Sequence, residues 1–209
     1  MDKRFSTPEA RPKVPVEALV RARINESIEA QQRLLEGPVM EDAIKLAAVA
    51  TSSLRTGGKL LLFGNGGSAA DATHIAAEFV GRFSYDRGPL AALSLTENAA
   101  SLTAISNDYT YDEIFARQVR AFGQPGDVAI AITTSGASRN VISGLTVAGE
   151  MGIHTAALTG NRGGPIANVA DVCLEMPSGT TARVQECYLL VAHIVCELVE
   201  RALFPLHTR

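Results

Sequence analysis

The run Leu60-Leu61-Leu62-Phe63-Gly64-Asn65-Gly66-Gly67-Ser68 passes from apolar residues to glycine and a hydroxyl just where a helix must begin. Its apolar half reads as a buried strand, and Ala69 to Phe83 continues with apolar residues at helical spacing. At the junction glycine lets the backbone approach an oxyanion, the serine can donate a hydrogen bond, and the free amides of the first helical turn carry partial positive charge. A phosphate fits such a cradle. A second one follows at Val128-Ala129-Ile130-Ala131-Ile132-Thr133-Thr134-Ser135-Gly136-Ala137-Ser138, where an apolar strand runs into four hydroxyls and a glycine. Two cradles imply a polar, phosphorylated ligand.

Working outward, short apolar runs at Lys59 to Phe63, Leu90 to Leu95, Val128 to Ile132, Thr155 to Leu158 and Val172 to Met176 alternate with helix-like stretches. Those helices are predicted at Ala69 to Phe83, Asn98 to Ser106, Asp112 to Ala121, Asn140 to Met151, a short piece at Pro165 to Val169, and Ala182 to Leu203. The alternation predicts an α/β fold, a parallel sheet with helices on both faces in a three-layer α-β-α sandwich. Ligands in such sheets sit beyond the carboxyl ends of the strands, where both cradles fall. Upstream, Pro15 to Leu35 and Met40 to Leu54 carry helical periodicity and are split by Gly37-Pro38. The expected organisation is a flexible arm over residues 1–14, a helical hairpin for oligomerisation over 15–56, and the sheet domain over 57–209. Pro15 suits a first helical turn, where its missing amide costs nothing.

Composition narrows the class. At 209 residues and 46% apolar the chain can bury one full core, and no run approaches the ~18 apolar residues of a membrane span. A net charge of −3 and a pI near 5.8 lack the basic surplus that steers a protein to nucleic acid. Met1 to Val14 is polar, contains proline and has no apolar core, so it does not read as an export signal, and a cytoplasmic location is expected. Cys173, Cys187 and Cys196 are odd in number and lie in apolar segments, which suits reduced thiols without a disulfide.

Several groups could do chemistry. His74 and Glu78, one turn apart, share a helical face about 9 Å along the axis from Ser68; the same spacing also describes a plain surface ion pair. The last helix, largely apolar, carries Gln185, Glu186 and His193, and polar groups there need partners. Periodicity puts Glu186 closest to the azimuth of His193 and Gln185 about a quarter turn off, without deciding between them. A core histidine paired with Glu197 is the bland alternative. Asn107-Asp108-Tyr109 ends a short helix and could place a carboxylate at the pocket rim, though it is also ordinary helix-stop chemistry. Thr159-Gly160-Asn161-Arg162-Gly163-Gly164 reads mainly as a structural turn. The first cradle has neither G-x-G-x-x-G spacing nor a P-loop lysine, which argues against nicotinamide and ATP chemistry.

Taken together, G-N-G-G-S-A-A-D-A, H-I-A-A-E-F, T-T-S-G-A-S-R-N and R-V-Q-E running into A-H-I-V resemble the phosphoheptose isomerases, of the sugar isomerase (SIS) fold, from about Ala18 to Phe204. The resemblance implies a five-stranded flavodoxin-like sheet, a homotetramer with active sites at subunit interfaces, and interconversion of sedoheptulose 7-phosphate and D-glycero-D-manno-heptose 7-phosphate. It implies phosphate binding by Ser68, Thr134, Ser135 and Ser138, with Thr133 standing where many relatives have serine. Asn65, Gly66, Gly67, Arg82, Asp108 and Gln185 would complete the substrate pocket. One zinc ion per subunit would be held by His74, Glu78, Gln185 and His193. Glu78 would shuttle the carbon-bound proton through a cis-enediol while His193 exchanges protons with the oxygens. Glutamine is an uncommon zinc ligand, and a carboxylate on zinc is a poorer base. Some enteric relatives carry an acidic residue where this chain has Ala182, which bears on the pocket wall.

The same resemblance offers a rival, because the family has a non-catalytic paralogue that binds the bacterial replication initiator as a tetramer. Leu203-Phe204-Pro205 is similar to its C-terminal end. That paralogue lacks the acid and the base, and this chain has both Glu78 and His193, so the expectation is an enzyme. A sugar-phosphate sensor would need the cradles alone and a DNA-binding segment, and none is visible.

Overall fold

The computed structural model describes residues 15–160 and 163–205. The expected arm over residues 1–14 lies outside them, as do Asn161, Arg162 and the last four residues. Two helices, α1 (Val16–Arg33) and α2 (Val39–Arg55), precede a sheet of β1 (Leu60–Gly64), β2 (Ala92–Ser94), β3 (Val128–Thr133), β4 (His154–Thr159) and β5 (Val172–Glu175). Between and after the strands run α3 (Gly67–Val80), α4 (Ala99–Asp108), α5 (Ile114–Phe122), α6 (Arg139–Glu150) and α7 (Thr181–Leu203). Short 3₁₀ turns at Tyr111–Glu113 and Pro165–Asn168 complete the order. The strands are parallel in the order β2-β1-β3-β4-β5, the flavodoxin-like arrangement.

Strand alternation divides the core in two. Leu60, Leu62, Val128, Ile130, Ile132 and Leu158 face α2, α3 and α7, whereas Leu61, Phe63, Ala129, Ala131 and Ala157 face α5 and α6. The sheet is therefore covered on both sides, as its continuous apolar runs require. The two upstream helices behave differently. α2 buries Leu46, Ala47 and Ala50 in the main core, but α1 buries only Ala30 and leaves Leu19, Val20, Ile24 and Ile28 exposed. Pro15 stands as the N-cap of α1, just ahead of the first turn.

α3 begins inside the cradle at Gly67, two residues before the expected start, and stops at Val80 because Gly81 breaks away. The chain after it is held by an ion pair between Arg87 and Glu200, whose side chains are 2% and 1% exposed. Glu200 accepts from the amides of Phe83 (2.9 Å) and Ser84 (2.8 Å) and from Arg87 Nε (3.0 Å). Burial acts to raise the Glu200 pKa, but these donors outweigh it and hold the carboxyl below its usual range. Arg87 also donates to the carbonyls of Glu78 (2.8 Å) and Phe79 (2.7 Å), filling acceptors that the helix end leaves free. No helix among the described residues is long and apolar enough to cross a membrane.

Candidate active site

Both cradles lie at the carboxyl end of the sheet. Gly66 takes φ +57°, a left-handed conformation that costs glycine little, and so turns the chain from β1 into α3. In the second cradle Gly136 (φ +65°) abuts Gly163, leaving no room for a side chain between the loops after β3 and β4. That contact accounts for part of the glycine-rich turn after β4. Thr133 is buried at the end of β3, Thr134 is half-buried, and Ser135 is exposed with its Oγ accepting from the Ala137 amide (3.2 Å). Ser138 occupies the N-cap of α6 without spending its side chain on the cap.

The cradles are tied together by a reciprocal amide pair. Asn65 Nδ2 donates to Asn140 Oδ1 at 2.9 Å, and Asn140 Nδ2 donates back to Asn65 Oδ1 at 2.8 Å. The hydroxyl of Tyr111, from the turn before α5, also donates to Asn65 Oδ1 (2.9 Å). Neither Asn140 nor Tyr111 stands out in the sequence as a site residue, and the only signal is that Asn140 closes the T-T-S-G-A-S-R-N loop. Asp108 is exposed at the end of α4 and accepts from Asn107 Nδ2 (2.9 Å). Arg82 is exposed just beyond α3.

α3 and α7 run side by side in matching register. Gln185 lies against Gly67, where an added Cβ would come within 2.5 Å of its amide nitrogen. One turn on, the buried Tyr188 hydroxyl donates to Asp71 Oδ2 (2.8 Å) and meets Ser68 Oγ (3.0 Å). Burial, foremost, pushes the Tyr188 pKa well above its ordinary value, and Asp71 acts in the same direction.

Two turns beyond Gln185, three groups of the predicted set converge. The ligand atoms of His74, Glu78 and His193 all lie within 4.8 Å of one another. His74 Nε2 stands 3.2 Å from Glu78 Oε1, and the His74 and His193 rings pack edge to face at 5.1 Å. Phe83, placed by Glu200, lies tilted against His193 at 5.6 Å. Glu78 Oε2 has no hydrogen-bond partner among the described residues, and its side chain is 24% exposed. Two imidazoles and a carboxylate are ordinary zinc donors and leave a coordination position open. Gln185 is not brought to this trio within one chain, since eight residues separate it from His193, about 12 Å along the axis.

The remaining polar groups of α7 have other partners. Glu186 accepts from Ser27 of α1 (2.7 Å) and pairs with Arg183; burial raises its pKa, but these two partners outweigh it and the net shift is downward. Glu197 accepts from Arg201 Nε at 2.9 Å, so it is not paired with His193. The three cysteines are free, and burial pushes the Cys196 thiol up to about 12. On the outer side of α7, Leu190, Ile194 and Leu198 join Met40 and Ile44 of α2 in an exposed apolar groove of about 350 Å³.

A flavodoxin-like sheet with two hydroxyl-rich cradles at its carboxyl edge and a His-Glu-His cluster beside them defines the sugar isomerase class. Residues 24–160 match the family model described as SIS domain. The phosphoheptose isomerase of Roseiflexus sp. (strain RS-1) is 50% identical over 183 residues, 87% of this chain and 91% of that protein. That of Aquifex aeolicus (strain VF5) is 52% identical over 160 residues, 77% of this chain and 84% of its relative. The structure of phosphoheptose isomerase from Neisseria gonorrhoeae superposes with a TM-score of 0.84 at 43% identity, covering 89% of this chain and 99% of that one. The chain belongs to the phosphoheptose isomerase family of SIS-domain proteins.

Proposed function

We propose that this protein interconverts sedoheptulose 7-phosphate and D-glycero-D-manno-heptose 7-phosphate, the first step towards a nucleotide-activated heptose. The observation that carries the reading is Glu78 beside His74 and His193, one helix length from a phosphate cradle on the same α3. An aldose and a ketose exchange by moving one proton between neighbouring carbons and another between their oxygens. Glu78 Oε2, without a partner among the described residues, takes the proton from one carbon and returns it to the next through a cis-enediol. His193 exchanges protons with the two oxygens. Each contributes on the order of 10²- to 10⁴-fold by general acid–base catalysis. Ser68, Thr134, Ser135 and Ser138 hold the phosphate, so that the reacting carbons stand over the histidines.

Zinc would be held by His74, Glu78 and His193 and would supply positive charge for the oxygens on which negative charge develops. A cytoplasmic homotetramer completes the reading, and the apolar groove between α2 and α7 supports it, because such a face is commonly covered by another subunit. The decisive experiment follows sedoheptulose 7-phosphate in D₂O by NMR. Wild-type protein is expected to form the aldose and exchange deuterium at the transferred position; a folded, zinc-supplied protein that does neither rules the reading out. Zinc is expected to raise the thermal midpoint of the wild type but not of His74→Ala, and equal shifts would remove it from this site. Ile194→Glu is expected to break the tetramer in analytical ultracentrifugation.

A further inference from the structure

The buried contact between Tyr188 and the first cradle has a consequence for phosphate binding, and it rests on the reading that this cradle takes the phosphate. Asp71, Tyr188 and Ser68 form a chain of three oxygen groups, with Tyr188 2.8 Å from Asp71 Oδ2 and 3.0 Å from Ser68 Oγ. A carboxylate only accepts, and each hydroxyl owns one proton. Tyr188 therefore donates its proton in the hydrogen bond to Asp71, because pointing it at Ser68 would leave two bare oxygens facing each other at 2.8 Å. With that proton spent, the contact between Ser68 and Tyr188 can be made only by the proton of Ser68. Tyr188, at 0% exposure, has no water within reach to supply a substitute donor.

We infer that Tyr188 and Asp71 are positioning residues that hold the Ser68 proton away from the ligand, so that the resting cradle presents Ser68 Oγ as an acceptor. A phosphate oxyanion gains the Ser68 hydrogen bond only by drawing that proton off Tyr188, whose oxygen then gives up the Ser68 donor. The arrangement weakens the grip on phosphate. This suits an isomerase, since substrate and product carry the same phosphate and equal binding of both adds nothing to the chemical step.

The test is inorganic phosphate binding, by calorimetry or ³¹P NMR, to the full-length wild type, Tyr188→Phe, Ser68→Ala and the double variant. Tyr188→Phe removes one oxygen without changing charge, and releases the serine proton. It is expected to bind phosphate about tenfold tighter than wild type, the gain of one charge-assisted hydrogen bond. In the Ser68→Ala background the same substitution is expected to change the dissociation constant by less than about twofold, following the additivity of uncoupled sites. With sedoheptulose 7-phosphate the KM of Tyr188→Phe falls while kcat does not rise. Unchanged or weakened phosphate binding, undetectable binding in all four proteins, or equal tightening in both backgrounds would overturn the inference. Should Tyr188→Phe fail to fold, Asp71→Ala is read the same way: loss of its charge acts in both backgrounds, and only the Ser68-dependent part counts. Loss of isomerase turnover in the wild type with this binding pattern intact would count against the substrate assignment alone.

Discussion

Glu78 and Glu200 are carboxylates at the two ends of one short structural path, and they are treated in opposite ways. Glu200 is 1% exposed and accepts from two amides and a guanidinium. Glu78 is partly exposed, touches one imidazole at 3.2 Å, and has no partner for its second oxygen among the described residues. Arg87 links them, pairing with the Glu200 side chain and donating to the Glu78 carbonyl. The contrast separates two environments for one chemical group: Glu200 takes three donors, while Glu78, held in place by its backbone, has a single imidazole beside it among the described residues. A base needs a free lone pair, whereas a buried anchor needs donors enough to offset its desolvation.

The comparison breaks most visibly at Glu78. Glu78→Gln is expected to lower kcat by about 10³-fold, within the range for losing a general base, while the thermal midpoint stays near wild type. If turnover persists, the unsaturated carboxylate is not the base. Glu200→Gln should do the reverse, costing roughly 3 kcal/mol in urea unfolding by leaving Arg87 buried without its partner, with a smaller effect on turnover per folded molecule. A loss of stability below ~1 kcal/mol would show that the pair is no anchor.

Acid sharpens the same contrast by a smaller amount. The Glu200 pKa is held below its unfolded value of about 4.3, so its contribution is fully present above that value and disappears as pH falls through the depressed folded value. The stability gap between wild type and Glu200→Gln should therefore be widest at neutral pH, start to narrow near the unfolded value and close only as pH falls through the depressed folded value. A gap that widened with acid would reverse the sign of the argument. The smallest effect is expected at the other donor-saturated group near the site. Asn140→Ala removes both hydrogen bonds of the reciprocal pair with Asn65 and should raise KM roughly fivefold with little change in kcat, a small shift because Asn65 keeps the Tyr111 hydroxyl as a partner.

How much of this was legible beforehand differs by element. The five strands announce themselves as apolar runs, and β1 and β3 are buried along their full length as such runs demand. Boundaries moved where a side chain did not decide them: α3 starts at Gly67, within the glycine run, and β2, the edge strand, shortens to three residues. Within the site, His74 and Glu78 are readable because they are helical neighbours, and Ser68 and Ser138 because they begin helices. Tyr188, Asp71, Asn140 and Arg87 carry no such local mark. Their side-chain partners Glu200, Asn65 and, for Tyr188 and Asp71, each other lie 75 to 117 residues away, and no periodicity spans a chain crossing.

α7 marks the division between the two kinds of information. By itself the sequence determined an apolar helix with a few polar residues that must find partners, together with a parallel sheet whose strand ends carry two loops rich in glycine and hydroxyls. Those conclusions rest on local physics: backbone geometry, side-chain period and the free amides of a helix start. Only the tertiary structure decided that Glu186 turns to Ser27, that Gln185 lies on Gly67, that Glu197 serves Arg201, and that His193 meets His74 and Glu78. Neighbouring positions on a helix differ by about 100° in direction, and what each direction meets is set by packing against α1 and α3, which the α7 sequence does not contain.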